Sequence, residues 1–164
     1  DRFQLLLATV PHQEQSVREI TRDWPQKPEI FVGEAAKWQA FGKADAALAA
    51  SGTVLLELAL TGIPTISTYK TDVLIRMVLN RIKVWSGALP NLIADYPVVP
   101  EYFDEFIRPT ALARWMERLS TATPERDAML AGFDGIFDRM TTERPPGEHG
   151  AAIVLNLIRQ KSAV

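Results

Sequence analysis

The chain has 164 residues, 47% hydrophobic and 23% charged, which suits one globular domain with a sizeable core and excludes disordered and collagen-like classes. A formal net charge of −2 gives no global pull on polyanions, so nucleic acid is not expected as a partner. With no cysteine and only two isolated histidines, His12 and His149, the chain offers no disulfide, no thiolate nucleophile and no zinc site.

Residues 3–10 (FQLLLATV) form an apolar run ended by Pro11, the pattern of a strand covered on both faces. Residues 12–23 are charged, with Val17 and Ile20 three apart, and predict an exposed helix. A second strand follows at 29–32 (EIFV), then a short helix over 33–41 and a weak third strand at 45–49. Residues 53–61 predict a buried helix stopped by Gly62, and β-branched residues in 64–69 (PTISTY) a fourth strand. Strands alternating with helices every 20–30 residues or so give parallel βαβ units. The expected fold is α/β, a Rossmann-like parallel sheet with flanking helices.

Beyond Tyr69 the pattern changes. Residues 71–85 are apolar and basic, and 87–100 are loop-rich with three prolines. Tyr102, Phe103 and Phe106 have helical spacing and predict core anchors of a short helix. Helices are then expected at about 109–120, 124–142 and 148–162, the last set off by Pro145-Pro146-Gly147. Trp115, Leu112 and Leu119 form an apolar stripe, and Asp134 and Asp138 a solvated face. His12 and His149 read as surface residues.

In a parallel sheet, ligands gather at the carboxyl ends of strands, where helix N-termini present free N–H groups. Ala49-Ala50-Ser51-Gly52-Thr53 lies at such a turn. Gly52 permits close approach of backbone and the Ser51 and Thr53 hydroxyls can donate, although similar turns open many ordinary helices. Glu57, alone in an uncharged run from Ala49 to Ser67, meets no capping-box spacing from either hydroxyl. Two readings stay open: acceptor for a ribose whose phosphate sits on the turn, or an acid that complements the helix dipole at about 0.3–1 kcal/mol.

The run DAALAASGTVLLELALTGIPTISTYK, followed by ALPNLIAD, resembles the C-terminal half of bacterial lipid-A-disaccharide synthases, glycosyltransferases of GT-B fold. The resemblance covers most of residues 3–160, and Gly52 with Glu57, closing at Gly62-Ile63-Pro64, is similar to the donor-nucleotide motif of many GT-B enzymes. It implies transfer of 2,3-diacylglucosamine from UDP-2,3-diacylglucosamine to 2,3-diacylglucosamine 1-phosphate, giving lipid A disaccharide and UDP without metal or other cofactor. By the same resemblance Ser51, Gly52 and Thr53 map onto the phosphate turn, Glu57 onto the ribose acid and Asn91 onto a loop facing the donor. Tyr69 and Lys70 map onto an aromatic-plus-cation pair ending the next strand; for Lys70 a plain solvated lysine stands equally open. No catalytic residue is assigned, because the family's acceptor domain, which carries the general base, is not among these residues. The chain, beginning at Asp1, is expected to be the donor-binding half of a longer enzyme, one domain over 1–164, inactive by itself.

Residues 71–85 place Arg76, Arg81 and Lys83 among apolar residues at helical spacing. Either an amphipathic core helix with a solvated basic face or a segment lying on an anionic membrane fits. Without an apolar run of about 18 residues or a signal peptide, spanning and export are not expected. The resemblance implies a cytoplasmic enzyme peripheral to the inner membrane, with lipid donor and acceptor as partners; oligomeric state is open, a homodimer included. Two alternatives stand beside it: a noncatalytic nucleotide or membrane-surface binding module on the same fold, and a GT-B enzyme using UDP-N-acetylglucosamine.

Overall fold

The computed structural model describes residues 3–50, 52–70 and 85–162. Strand β1 (Leu6–Thr9) runs parallel to β2 (Glu29–Val32), pairing Leu6 with Glu29 and Thr9 with Val32. Between them a 3-10 turn (Pro11–Gln13) leads into α1 (Glu14–Thr21), and α2 (Glu34–Phe41) follows β2 and packs on both strands. The second sheet has the order β3 (Ala47–Ala49), β4 (Thr65–Tyr69), β5 (Glu101–Phe103), again all parallel. Helix α3 (Thr53–Leu60) crosses from β3 to β4, and α4 (Leu89–Ala94) precedes β5. The remaining helices are α5 (Pro109–Leu119), α6 (Pro124–Met140) and α7 (Pro146–Ser162). The α/β class and the parallel strands expected from the sequence are present, with the ladders in two sheets rather than one.

Local chemistry explains most boundaries. Helix α3 ends at Gly62 in the left-handed region (φ +70°), where the N–H of Gly62 donates to Ala59 O and that of Ile63 to Leu58 O, satisfying two terminal carbonyls. Pro109, Pro124 and Pro146 each open a helix, since proline lacks an N–H that the first turn does not use. Thr123 caps α6 by accepting from the Arg126 N–H at 3.2 Å.

Three expectations change. Residues 3–10 are not covered on both faces: only 6–9 form a strand, and Phe3 and Val10 are 44% and 47% exposed. The 87–100 stretch is not all loop. Pro90 occupies the first turn of α4, and Asp95 closes it with φ +64°, its N–H donating to Asn91 O. Tyr102 and Phe103 lie in β5, not in a helix, because pairing with Thr68 and Tyr69 of β4 overrides their spacing. Asp104, at φ +45°, then turns the chain into a 3-10 segment (Asp104–Phe106) whose Phe106 is exposed.

The main core gathers Leu55 and Ala59 of α3, Ile66 of β4, Ala88 and Ala94, Val98 and Val99, Leu119 of α5, and Met129, Phe133 and Ile136 of α6. Leu112 and Trp115 pack against it, the Trp115 indole donating to the Tyr102 hydroxyl at 2.6 Å. Asp134, Asp138, His12 and His149 are exposed, as the sequence predicts. Along α7, Ile153, Val154, Leu155, Leu157 and Ile158 are exposed.

Gly132 lets α6 press onto the segment before β5: a Cβ there would stand 2.7 Å from Val98 Cγ1 and 3.1 Å from the Tyr96 hydroxyl. Gly132→Ala is therefore expected to lower the unfolding free energy in urea by about 1–3 kcal/mol through overpacking, and a variant as stable as the parent would show that the helix can back away freely.

Candidate functional site

The carboxyl ends of β2 and β3 each pass into a helix through one glycine. Gly33 before α2 has φ +88° and ψ 175°; Gly52 before α3 has φ +113° and ψ −156°. That corner of the backbone map is open essentially to glycine alone. Among the described residues no atom lies within 4 Å of where a Cβ at either glycine would stand. Glycine supplies no capping oxygen, and the first N–H groups of α3 have no helical partner to use. The result is a bare, partly positive helix mouth of the kind that favours an anion.

Glu57 lies one turn inside that mouth. Its side chain is 30% exposed, neither in bulk solvent nor in the core, and Oε2 accepts from Lys37 Nζ of α2 at 2.9 Å. Lys37, 17% exposed, also meets Glu34 Oε1 at 2.9 Å, and its ammonium stands 4.6 Å from the Trp38 ring centroid. The bond to Glu34, and after it the bond to Glu57, hold the Lys37 ammonium charged above the ordinary lysine range. Lys37 in turn keeps Glu34 below the usual carboxylate range. Glu34 Oε1 is further fixed by the Trp38 indole N–H at 2.9 Å. A charged chain thus runs from the first turn of α2 to Glu57.

The other predicted residues divide. Thr53 is the exposed first residue of α3. Tyr69 ends β4, half-buried and paired with Phe103, and Lys70 follows it exposed, on the same edge as the Gly52 turn because β3 and β4 are parallel. Ser51 and the segment 71–84 lie outside the described residues.

Asn91 is only 1% exposed, and its amide is spent inside the chain. Oδ1 accepts from the N–H groups of Val98 and Val99 at 2.8 and 2.7 Å, while Nδ2 donates to Val99 O at 2.9 Å and Glu101 Oε2 at 3.2 Å. Glu101 completes the clasp, accepting from the Ser86 hydroxyl at 2.5 Å and the Gly87 N–H at 3.0 Å. Asn91 therefore shapes the 86–101 loop and turns no free polar atom outward. Sequence reasoning missed Lys37 and Glu101. The available signals were a lysine three residues after Glu34 for the one, and an acid seven residues past the end of the helix that bears Leu-Pro-Asn for the other.

The sequence of residues 1–122 matches a model of the lipid-A-disaccharide synthetase family. The chain is 41% identical over 160 residues to the lipid-A-disaccharide synthase of Bradyrhizobium diazoefficiens, covering 96% of this chain and 41% of that protein. It is 38% identical over 163 residues to that of Nitrobacter winogradskyi, covering 98% of this chain and 41% of the relative. At 33% identity over 161 residues, the Rhodospirillum centenum synthase is covered over 40% of its length. The chain thus spans about two fifths of the length of these curated relatives.

Asn91→Ala strips two buried N–H groups of their acceptor, so it is expected to cost about 1–3 kcal/mol in chemical denaturation, more than its volume alone would. Undiminished stability would mean that water or a rearranged loop satisfies Val98 and Val99.

Proposed function

The chain belongs to the lipid-A-disaccharide synthetase family, and on that premise we propose that it is the donor-binding part of a glycosyltransferase of lipid A biosynthesis. The reaction is transfer of 2,3-diacylglucosamine from UDP-2,3-diacylglucosamine to 2,3-diacylglucosamine 1-phosphate, with release of UDP. Residues 1–164 act as one donor domain. The acceptor site and the general base belong to the part of the relatives that the chain does not span, so this stretch by itself does not turn over.

In this reading the diphosphate sits on the mouth of α3, against the amides that open from Gly52 and Thr53, with the Ser51 hydroxyl beside it. Glu57 accepts the ribose hydroxyls, and Lys70, with Tyr69 at its side, offsets diphosphate charge from the neighbouring strand end. Asn91 contributes indirectly, by holding the shape of its loop. The observation that carries the reading is the Gly52 turn: a glycine-only conformation with no described atom within 4 Å of its would-be Cβ, and a partly exposed carboxylate one turn behind it. A plain helix start needs neither feature. Charge chemistry agrees, since fixed N–H dipoles stabilise a leaving diphosphate without reorganising. Family membership favours this reading over an enzyme that uses UDP-N-acetylglucosamine and over a noncatalytic module.

Attachment to the cytoplasmic face of the inner membrane, with residues 71–85 as the contact, is part of the same proposal. Among the described residues no helix is long and apolar enough to cross a membrane.

Titrating UDP into the full-length chain tests the reading. Glu57→Ala is expected to weaken binding by about 1.5–3 kcal/mol, the value of hydrogen bonds to a charged acceptor. Equal affinity in the two proteins would remove Glu57, and with it the assigned ribose contact, from the donor site.

A further inference from the structure

The geometry points to Lys37 as the positioning residue of the donor site: it fixes one oxygen of Glu57 so that the other is presented to the ribose diol. The inference rests on the reading of Glu57 as the diol acceptor and adds what makes that acceptor selective.

Several observations converge on it. Lys37 and Glu57 come from different helices, twenty residues apart, and meet at 2.9 Å, so the bond ties α2 to α3 one turn inside each helix. Only Oε2 is engaged by the ammonium, leaving Oε1 for a ligand. Lys37 is itself held from other sides, by Glu34 Oε1 at 2.9 Å and by the faces of Trp38 and Phe41, whose ring centroids lie 4.6 and 6.0 Å from Nζ. A long flexible side chain restrained at so many points behaves as a fixed donor, and a fixed donor restricts the rotamers of the carboxylate it grips. The pairing also answers an electrostatic difficulty. A bare carboxylate one turn from a diphosphate would repel it, and an ammonium at contact distance offsets part of that field, its charge being shared between Glu57 and Glu34. Lysine does both tasks from the far side of Glu57, touching neither phosphate nor ribose.

The test uses calorimetric titration of UDP and of 2′-deoxy-UDP into the full-length chain, for the parent, Lys37→Met, Lys37→Arg, Glu57→Ala and the Lys37→Met/Glu57→Ala double variant. Lys37→Met is expected to weaken UDP about five- to tenfold, the scale of one misaligned charge-assisted hydrogen bond. The same variant should shrink the preference for UDP over 2′-deoxy-UDP. Lys37→Arg, which can still bridge two carboxylates, should restore most of both. In the Glu57→Ala background, Lys37→Met should change affinity by less than about twofold, because the two act as one unit. A merely structural lysine would weaken the two nucleotides alike and would do so in either background; that result overturns the inference. So does parental binding by Lys37→Met when Glu57→Ala binds weakly, an outcome that leaves the donor reading standing. If Glu57→Ala itself binds UDP like the parent, the donor reading falls and the inference falls with it.

Discussion

The candidate site depends on a backbone constraint: the chain must leave β3 and enter α3 through a conformation that residues with a Cβ hold only under strain. Among the described residues no atom lies within 4 Å of where a Cβ at that turn would stand. The turn also sets where Glu57 falls, since a helix begun at Thr53 carries its fifth residue one turn further in. The same device recurs at Gly33, and the two helix starts it produces are bridged by Lys37. Two glycines and one ion pair therefore define the relative placement of the two mouths. Thr53, which opens α3, and Lys70, which follows β4, lie on the same sheet edge as the Gly52 turn.

A second group of polar residues does the opposite work. Asn91 of α4 and Glu101 of β5 satisfy polar groups of the segments on either side of α4, and every polar atom of the Asn91 amide is used inside the chain. By contrast, the amides at the mouth of α3 have no helical partner and Glu57 keeps one oxygen unengaged by Lys37. Polar residues in a quoted motif thus fall into two kinds, those that build a surface and those that face outward from it. The distinction is set by where their hydrogen bonds end, and burial reports it directly.

How much of this could be read from residues alone follows from the range of the forces involved. Strand β2, helix α3 and strand β4 emerge where predicted because their signals are local: β-branched runs, an apolar helical stretch and glycines at the ends. The three C-terminal helices were equally plain, each announced by proline. Strand β1 was recognised but its surroundings were not, because an apolar run is the same string whether both faces are covered or one stays open. Helix α4 and strand β5 are short elements made by tertiary pairing, and Pro90 masked one of them. At the site, Gly52 and Glu57 stood out through spacing, and the family resemblance supplied their roles. Lys37 stayed hidden because its partner is reached across a whole strand. Glu101 stayed hidden because an acid opening a strand made by tertiary pairing looks, in sequence, like any solvated acid.

The core is unevenly shared along the chain, and this has a dynamic consequence. All the residues of the large buried cluster lie from Leu55 onward, whereas β1, α1, β2 and α2 contribute only a few buried side chains, among them Thr21, Phe31 and Ala40. Regions with few buried apolar contacts open at lower free energy than the global unfolding transition. Amide exchange should accordingly run faster in β1 and β2 than in β4. The half that carries Lys37 is then the softer one, and the grip on Glu57 is made by a unit able to loosen while the Gly52 turn, rooted in the harder half, keeps its shape.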